Sequence, residues 1–337
     1  MPFTIVRNDI TNMQVDAIVN TANPQPMVGA GADAAIHEKA GPQLLKARRR
    51  IGHIDMGCAV ITPAYRLDAK YVIHTVGPVW NGGGYGEESL LRNCYENALQ
   101  LALEHHCETI AFPLISTGHY GFPKDKALQI AISAFTAFLS EYDLQIYLVV
   151  FDHASFRLSE NLFCHVESYI DENYVNTAPV FLNASVSQRP RRNLKRIQPM
   201  AMEELSPGLL MEKKALSLED MLKQTDAGFT ETLLKLIDKT GKKDAEIYKK
   251  ANISKQHFSK IRNNPDYKPT KPTAVALALA LELNLEETRD LIGRAGYALT
   301  NSSKFDLIIR YFIENRNYNI VEINVVLFEH DQMLLST

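Results

Sequence analysis

The first half of the chain is a train of short apolar runs separated by amphipathic stretches, and few folds can bury such a pattern. Asp16-Ala-Ile-Val-Asn20, Cys58-Ala-Val-Ile-Thr62, Tyr71-Val-Ile-His-Thr-Val76, Thr109-Ile-Ala-Phe-Pro-Leu-Ile115 and Gln145-Ile-Tyr-Leu-Val-Val-Phe151 are rich in β-branched residues and apolar on successive positions. A strand apolar on consecutive residues needs cover on both faces. Between these runs, Glu87–His106 places Leu90, Leu91, Cys94, Ala98, Leu101 and Ala102 at helical spacing, and Lys124–Leu139 is a second amphipathic helix. The alternation predicts an α/β domain with helices on both faces of a mostly parallel sheet. In such sheets a ligand sits at the carboxyl ends of the strands.

The pattern changes after Asn176. Ser187–Met200 carries Arg189, Arg191, Arg192, Lys195 and Arg196 with no acidic residue, and it reads as a linker. From Leu216 the segments are helical throughout: Thr230–Thr240, Asp244–Ala251, Lys255–Asn263, Thr273–Leu283, Leu285–Ala295 and Lys304–Glu314. The expected organisation is an α/β domain over 1–178, a basic linker over 179–215 and an all-α domain over 216–337. A length of 337 residues, 46% of them hydrophobic, supports two packed cores. The balance of 36 basic and 39 acidic residues gives no global attraction for nucleic acid. The apolar stretch Ala274–Leu281 ends at Glu282, well short of the ~18 residues of a membrane span. The first twenty residues have no export pattern, and Cys58, Cys94, Cys107 and Cys164 match no zinc or CxxC spacing. The expectation is a cytoplasmic protein with reduced cysteines, no metal and no membrane partner.

Three loops follow predicted strands. Val19-Asn20-Thr-Ala-Asn23-Pro24 brings two carboxamides that can meet sugar hydroxyls. Val28-Gly29-Ala30-Gly31-Ala32-Asp33 is a small-residue turn running into a helix, which lets backbone N–H groups approach a phosphate. Ile115-Ser116-Thr117-Gly118-His119-Tyr120-Gly121 repeats that design with an aromatic ring beside it. Each loop alone is more often an ordinary turn or cap than a site. Three of them after strands of one sheet converge on one edge.

Asn20-Thr-Ala-Asn23, Gly29-Ala-Gly-Ala-Asp33-Ala-Ala-Ile-His37, His74-Thr-Val-Gly-Pro78 and Ile115-Ser-Thr-Gly-His-Tyr-Gly-Phe-Pro123 together resemble a macrodomain of the MacroD type, over about residues 1 to 175. The resemblance implies a three-layer α/β/α fold with a mixed sheet, and ADP-ribose as ligand without a cofactor. By that resemblance Asp9, next to Ile10, bonds the adenine amino group and Phe151 stacks on adenine. Gly29, Ala30, Gly31 and Ala32 form one phosphate loop; Ser116, Thr117, Gly118, His119 and Tyr120 form the other. Asn23 lies on the distal ribose, Tyr120 packs against it, and Asp33 is the catalytic aspartate. Two departures stand out. Ala30 replaces a glycine of the family's run, tolerable where φ is negative, and Ala34 follows Asp33 where glycine is common. The related zinc-using class has clustered cysteines in this loop, and this chain has none there.

The chemistry implied is metal-independent hydrolysis: release of ADP-ribose from an acidic side-chain ester of a modified protein, or deacetylation of O-acetyl-ADP-ribose. Asp33 would orient or deprotonate the water and Asn23 would fix a ribose hydroxyl. The alternatives are a non-catalytic ADP-ribose reader and a DNA-binding regulator that senses ADP-ribose. His37, one helical turn after Asp33, could tune that aspartate or be a packed histidine, His74 reads as a core histidine, and Trp80 with Gly82–Gly84 as a loop beside the pocket or a surface connection. In the second domain, Asp244–Ala251 and Lys255–Asn263 flank a tight turn with Ser254 as N-cap, and they resemble the helix-turn-helix of Cro/XRE-type proteins. Ten basic and three acidic residues between Lys239 and Lys271 make DNA, or a protein, a candidate partner there.

Overall fold

The structure, a computed structural model, describes residues 3–151, 160–174 and 227–335. The expected linker lies outside these residues. The strands are β1 (Phe3–Arg7), β2 (Val15–Thr21), β3 (Ala59–Pro63), β4 (Ala69–Thr75), β5 (Thr109–Pro113) and β6 (Gln145–Val150). They form one sheet in the order β1-β6-β5-β2-β4-β3. Every pairing is parallel except β3 against β4, so the sheet is mixed. The helices of this half are α1 (Ala32–Ala40), α2 (Pro42–Ile51), α3 (Glu87–Glu104), α4 (Lys124–Glu141) and α5 (Glu160–Asn173).

Successive residues of β2 show why the strands are apolar throughout. Ala17 and Val19 join the core formed with α3 and α4, while Ile18 joins Ile36, Ala40 and Leu44 of α1 and α2 on the other face. β1 and α2 escape the sequence reading for different reasons. β1 is five residues at the chain start with only Phe3 and Ile5 buried. In α2 the run Arg48-Arg49-Arg50 hides the period, because Arg48 is itself buried.

The helical region comprises α6 (Phe229–Thr240), α7 (Asp244–Lys250), α8 (Lys255–Asn263), α9 (Lys271–Ala280), α10 (Leu285–Arg294), α11 (Lys304–Glu314) and α12 (Ile320–Glu329). Helix α9 is buried from Pro272 to Ala280 and packs against α7, α10 and α12. Its N-cap is Thr270 and Pro272 sits in its first turn, where no N–H is needed. Ser254 caps α8 by accepting from the His257 N–H, as its position in the sequence suggests.

The described residues within 3–174 and 228–335 cluster as one compact unit. The apolar core on the α3/α4 face of the sheet continues into the helical region through residues such as Phe258, Leu277 and Phe312. At the seam, the Asn252 carboxamide accepts from the Phe3 N–H at 2.7 Å and donates to the Phe3 carbonyl at 2.8 Å. The side chain thereby occupies backbone groups of an edge strand that would otherwise stand open. Arg7 at the other end of β1 pairs with Asp331 at 3.1 Å, and Tyr169 of α5 donates to Glu314 at 2.7 Å. Among the described residues no helix is long and apolar enough to cross a membrane.

Candidate functional site

Strands β4, β2 and β5 are neighbours in the sheet, and the loops after them meet at one edge. They enclose a cleft of about 290 Å³ lined by Thr21, Asn23, Gly29–Asp33, Gly77, Pro113, Leu114, Ser116 and Gly118–Tyr120. Of the residues singled out in the sequence, the cleft gathers Asn23, Gly29, Ala30, Gly31, Ala32, Asp33, Ser116, Gly118, His119 and Tyr120.

Five others lie outside its lining. Asp9 uses its side chain to accept from the Thr11 N–H at 2.8 Å, capping a short turn, and Ile10 is packed in the core beneath α1. Asn20 is fully buried behind the loop. Thr117 turns its hydroxyl back to the Leu114 carbonyl. Phe151, just past β6, is 80% exposed. Thr21, Gly77, Pro113 and Leu114 line the cleft and were not singled out, although Gly77 stands inside a quoted motif.

The first loop is built by glycine and by Asp33. Gly31 has φ 62° and ψ −129°, a conformation open to glycine, and it begins α1 without a side-chain cap. The first N–H groups of α1 therefore have no side-chain acceptor at the cap, as an anion cradle requires. Ala30 is absent from the residues of positive φ, which explains why alanine fits there. Asp33 is 2% exposed, and both of its oxygens have partners. Oδ2 accepts from the Gly29 N–H at 2.5 Å, which closes the loop, and Oδ1 accepts from Asn20 Nδ2 at 2.6 Å. His37 Nε2, one helical turn on, lies 3.6 Å from Oδ1.

The second loop is strained in the opposite wall. Ser116 has φ 65°, is 7% exposed, and its hydroxyl has no hydrogen-bond partner although it lines the cleft. A buried hydroxyl with no partner in a left-handed backbone marks a place shaped for something other than packing. Gly77 is what lets this residue sit there, since a Cβ on Gly77 would come within 2.1 Å of Ser116 Oγ. Trp80 donates its backbone N–H to the Tyr120 carbonyl, and its ring meets Phe122 with centroids 4.7 Å apart. The loop from Asn81 to Tyr85 is held by Glu87, whose carboxylate accepts from the Asn81, Gly83 and Tyr85 N–H groups.

Beneath the cleft lies a buried polar layer of which the sequence pointed only to His37 and His74. Arg48 donates to the carbonyls of Asn23, Pro24 and Gly52, pinning the loop that carries Asn23. Burial holds the His37 imidazole below its ordinary pKa, Asp33 opposes that shift, and Arg48 adds to it. His74 is pushed down to about 3, chiefly by burial, with His37 and Arg48 adding to it.

A family model described as Macro domain matches residues 19–131. A Macro domain-containing protein of Chlorobaculum tepidum is 55% identical over 136 residues, 40% of this chain and 79% of the relative. The chain belongs to the macrodomain family. A Salmonella newport protein called O-acetyl-ADP-ribose deacetylase is 49% identical over 164 residues, covering 47% of this macrodomain chain and 92% of the relative. A solved Oceanobacillus iheyensis macrodomain with ADP shares 37% identity, with a TM-score of 0.45, 49% of this chain and 90% of that one covered. The family-model match over residues 19–131 falls on the part of the macrodomain protein that carries the cleft.

Proposed function

We propose that this macrodomain binds ADP-ribose derivatives and hydrolyses an ester on the distal ribose or at its anomeric carbon. The observation that carries the reading is the Asp33 carboxylate, set in the floor of the cleft between two loops rich in backbone N–H groups. The pyrophosphate lies against the Gly29–Ala32 and Ser116–Tyr120 loops, with the Ser116 hydroxyl as a further donor. The distal ribose then falls between Asn23 and Asp33, with Tyr120 beside it. Holding both phosphates fixes the sugar and its neighbouring water, and positioning of this kind supplies several kcal/mol of a barrier.

Two bonds are candidates for cleavage. In O-acetyl-ADP-ribose, water adds to the acetyl carbonyl, the acyl C–O bond breaks, and acetate and ADP-ribose leave. The relatives named O-acetyl-ADP-ribose deacetylase support this substrate. In a protein carrying ADP-ribose on an acidic side chain, water adds at the anomeric carbon and the side-chain carboxylate leaves. In both, Asp33 takes the water's proton or aligns the water; in the acetyl ester the proton passes to the ribose oxygen as the acyl C–O bond breaks, and in the protein ester it is released to solvent. A carboxylate has about four acceptor sites, so its bonds to Gly29 and Asn20 leave room for this.

The test is direct. O-acetyl-ADP-ribose and proteins ADP-ribosylated on Glu/Asp, Ser or Arg are incubated with the full chain, and released acetate and ADP-ribose are measured beside a calorimetric titration with ADP-ribose. Binding with release from O-acetyl-ADP-ribose or from the Glu/Asp ester is the expected result, and release only from the Ser or Arg glycosides defeats the ester reading. Binding with no release from any substrate identifies a reader, and no binding defeats the proposal.

A second reading concerns the helical region. Lys255, Gln256, Ser259 and Lys260 of α8 are exposed after the Ser254 cap, which supports reading this helix as a partner-contacting face. Duplex DNA binding that weakens steeply with added salt supports a nucleic-acid partner; salt-independent or absent binding leaves a protein partner.

A further inference from the structure

Behind Asp33 the buried polar groups fit together in only one protonation pattern. Asn20 Nδ2 lies 2.6 Å from Asp33 Oδ1 and 3.1 Å from His74 Nδ1, and His74 Nε2 lies 3.0 Å from Thr62 Oγ1. Asn20 and His74 are fully buried, and Thr62 is nearly so. An acceptor-only carboxylate oxygen requires the amide nitrogen of Asn20, not its oxygen, to face Asp33. That nitrogen has a second hydrogen, and it points to His74. Nδ1 must therefore carry no proton, and the neutral ring holds its proton on Nε2, facing Thr62. The Thr62 hydroxyl in turn has the Val72 carbonyl 3.5 Å away, a long but suitable acceptor. Asn20 Oδ1 makes no hydrogen bond, so the carboxamide is fixed by its donor side alone.

We propose that Thr62, His74 and Asn20 form a positioning relay that sets the direction of the Asp33 carboxylate, with His74 locked as the Nε2–H tautomer. The inference rests on the catalytic reading of Asp33 given above. The charged and titratable groups facing His74 all act through the same layer: Asp33 by way of Asn20, His37 with its ring centroid 6.2 Å away, and Arg48. They leave the imidazole neutral, which is the state the relay needs. Strand register reinforces the arrangement, because Asn20 of β2 pairs with His74 of β4, and His74 with Val60 of β3. Rotation of the Asn20 amide would turn an oxygen toward Asp33, and the ring that prevents it is His74. The three residues touch no ligand; they act through Asp33.

The tautomer is read on the unliganded full chain by long-range proton–nitrogen NMR of ring-labelled histidines. The relay predicts one buried ring with a bare Nδ1 and a protonated Nε2, unchanged from neutral pH down to about pH 5. A proton on Nδ1, or titration near the ordinary histidine value, overturns it. The functional arm compares His74→Leu with His74→Gln, whose side-chain oxygen can again accept from Asn20. In His74→Leu, ester turnover should fall about tenfold while the calorimetric ADP-ribose affinity stays within about threefold, and His74→Gln should recover part of the loss. Equal losses in turnover and affinity for both variants overturn the relay and indicate a packing role. Should His74→Leu fail to fold, the NMR result on the unchanged chain decides. A wild-type protein without turnover defeats the catalytic reading alone, because the tautomer measurement needs no substrate.

Discussion

The sheet half and the helical half bury charge in contrasting ways. In the helical half, Asp306 is buried against Lys271 at 2.5 Å and also accepts from the Thr300 N–H and hydroxyl. The group is surrounded and closes the space between α9 and α11. In the sheet half, Asp33 is as deeply buried, yet it lies in the floor of an open cleft whose opposite wall holds a strained Ser116 with an unpartnered hydroxyl. One carboxylate completes a core; the other is held at the bottom of a hole. The lesson is that burial of an ionisable group points to function only when its free directions lead to space.

The contrast predicts that substitutions in the two halves separate activity from stability. The largest effect is expected from Asp33→Ala. Turnover on the preferred ester should fall by about 10³-fold, within the range typical of a lost acid–base group, while unfolding in urea stays cooperative. Full activity in this variant would remove the distinction between the two buried carboxylates. The mirror case is Asn252→Ala, which strips both partners from the Phe3 backbone at the edge of the sheet. Leaving two buried backbone groups unmet costs about 2–3 kcal/mol, read as a lower urea midpoint, and kcat/KM on the same ester should hold to about twofold. A loss of turnover at unchanged stability would mean that the helical half reaches into the cleft.

A pH experiment sharpens the comparison at intermediate size. The folded state holds His74 near 3, against an ordinary value of 6.5. The proton then binds the unfolded chain in preference, so stability is fully present above pH 6.5 and is lost as pH falls toward 3. Between pH 6.5 and pH 5 the loss from this group is about 2 kcal/mol. His37, depressed by burial in the same direction, adds to it. The difference in chemical unfolding free energy between the two pH values should shrink by about that amount in His74→Gln. An unchanged pH slope would show that the imidazole is not held neutral by the fold.

Much of this was legible before the coordinates. The strands at Asp16, Cys58, Tyr71, Thr109 and Gln145 announce themselves because residues buried on both faces leave unbroken apolar runs. The Gly29–Asp33 and Ser116–Tyr120 loops are legible for the opposite reason: small and polar residues interrupt the pattern where backbone must approach a ligand. The buried layer was legible only in part, through His37 and His74 as packed histidines. Arg48 sits in a run of three arginines that reads as a solvated face, yet it alone turns inward to bind three carbonyls. Asn20 reads as a sugar ligand because it shares a loop motif with Asn23. The two-residue period of a strand sends it into the sheet instead, where it meets Asp33. The continuous core between the sheet and the helices was equally hidden, since no local pattern records which apolar faces meet across more than a hundred residues.

The smallest expected effect asks how far the site extends beyond the cleft. Phe151 is 80% exposed at the carboxyl end of β6, two strands from β2, and it makes no part of the cleft lining. A bare aromatic ring at a strand end is unfavourable in water and gains from any flat partner. If the nucleobase of a bound ADP-ribose reaches it, stacking contributes about 0.5–1.5 kcal/mol, so Phe151→Ala should weaken calorimetric affinity by about two- to twelvefold. Stability should not move, because the ring buries almost nothing in the free protein. Turnover at saturating substrate should also hold, since a contact made equally before and during reaction changes affinity and not rate. An affinity unchanged in Phe151→Ala would confine recognition to the phosphates and the distal ribose.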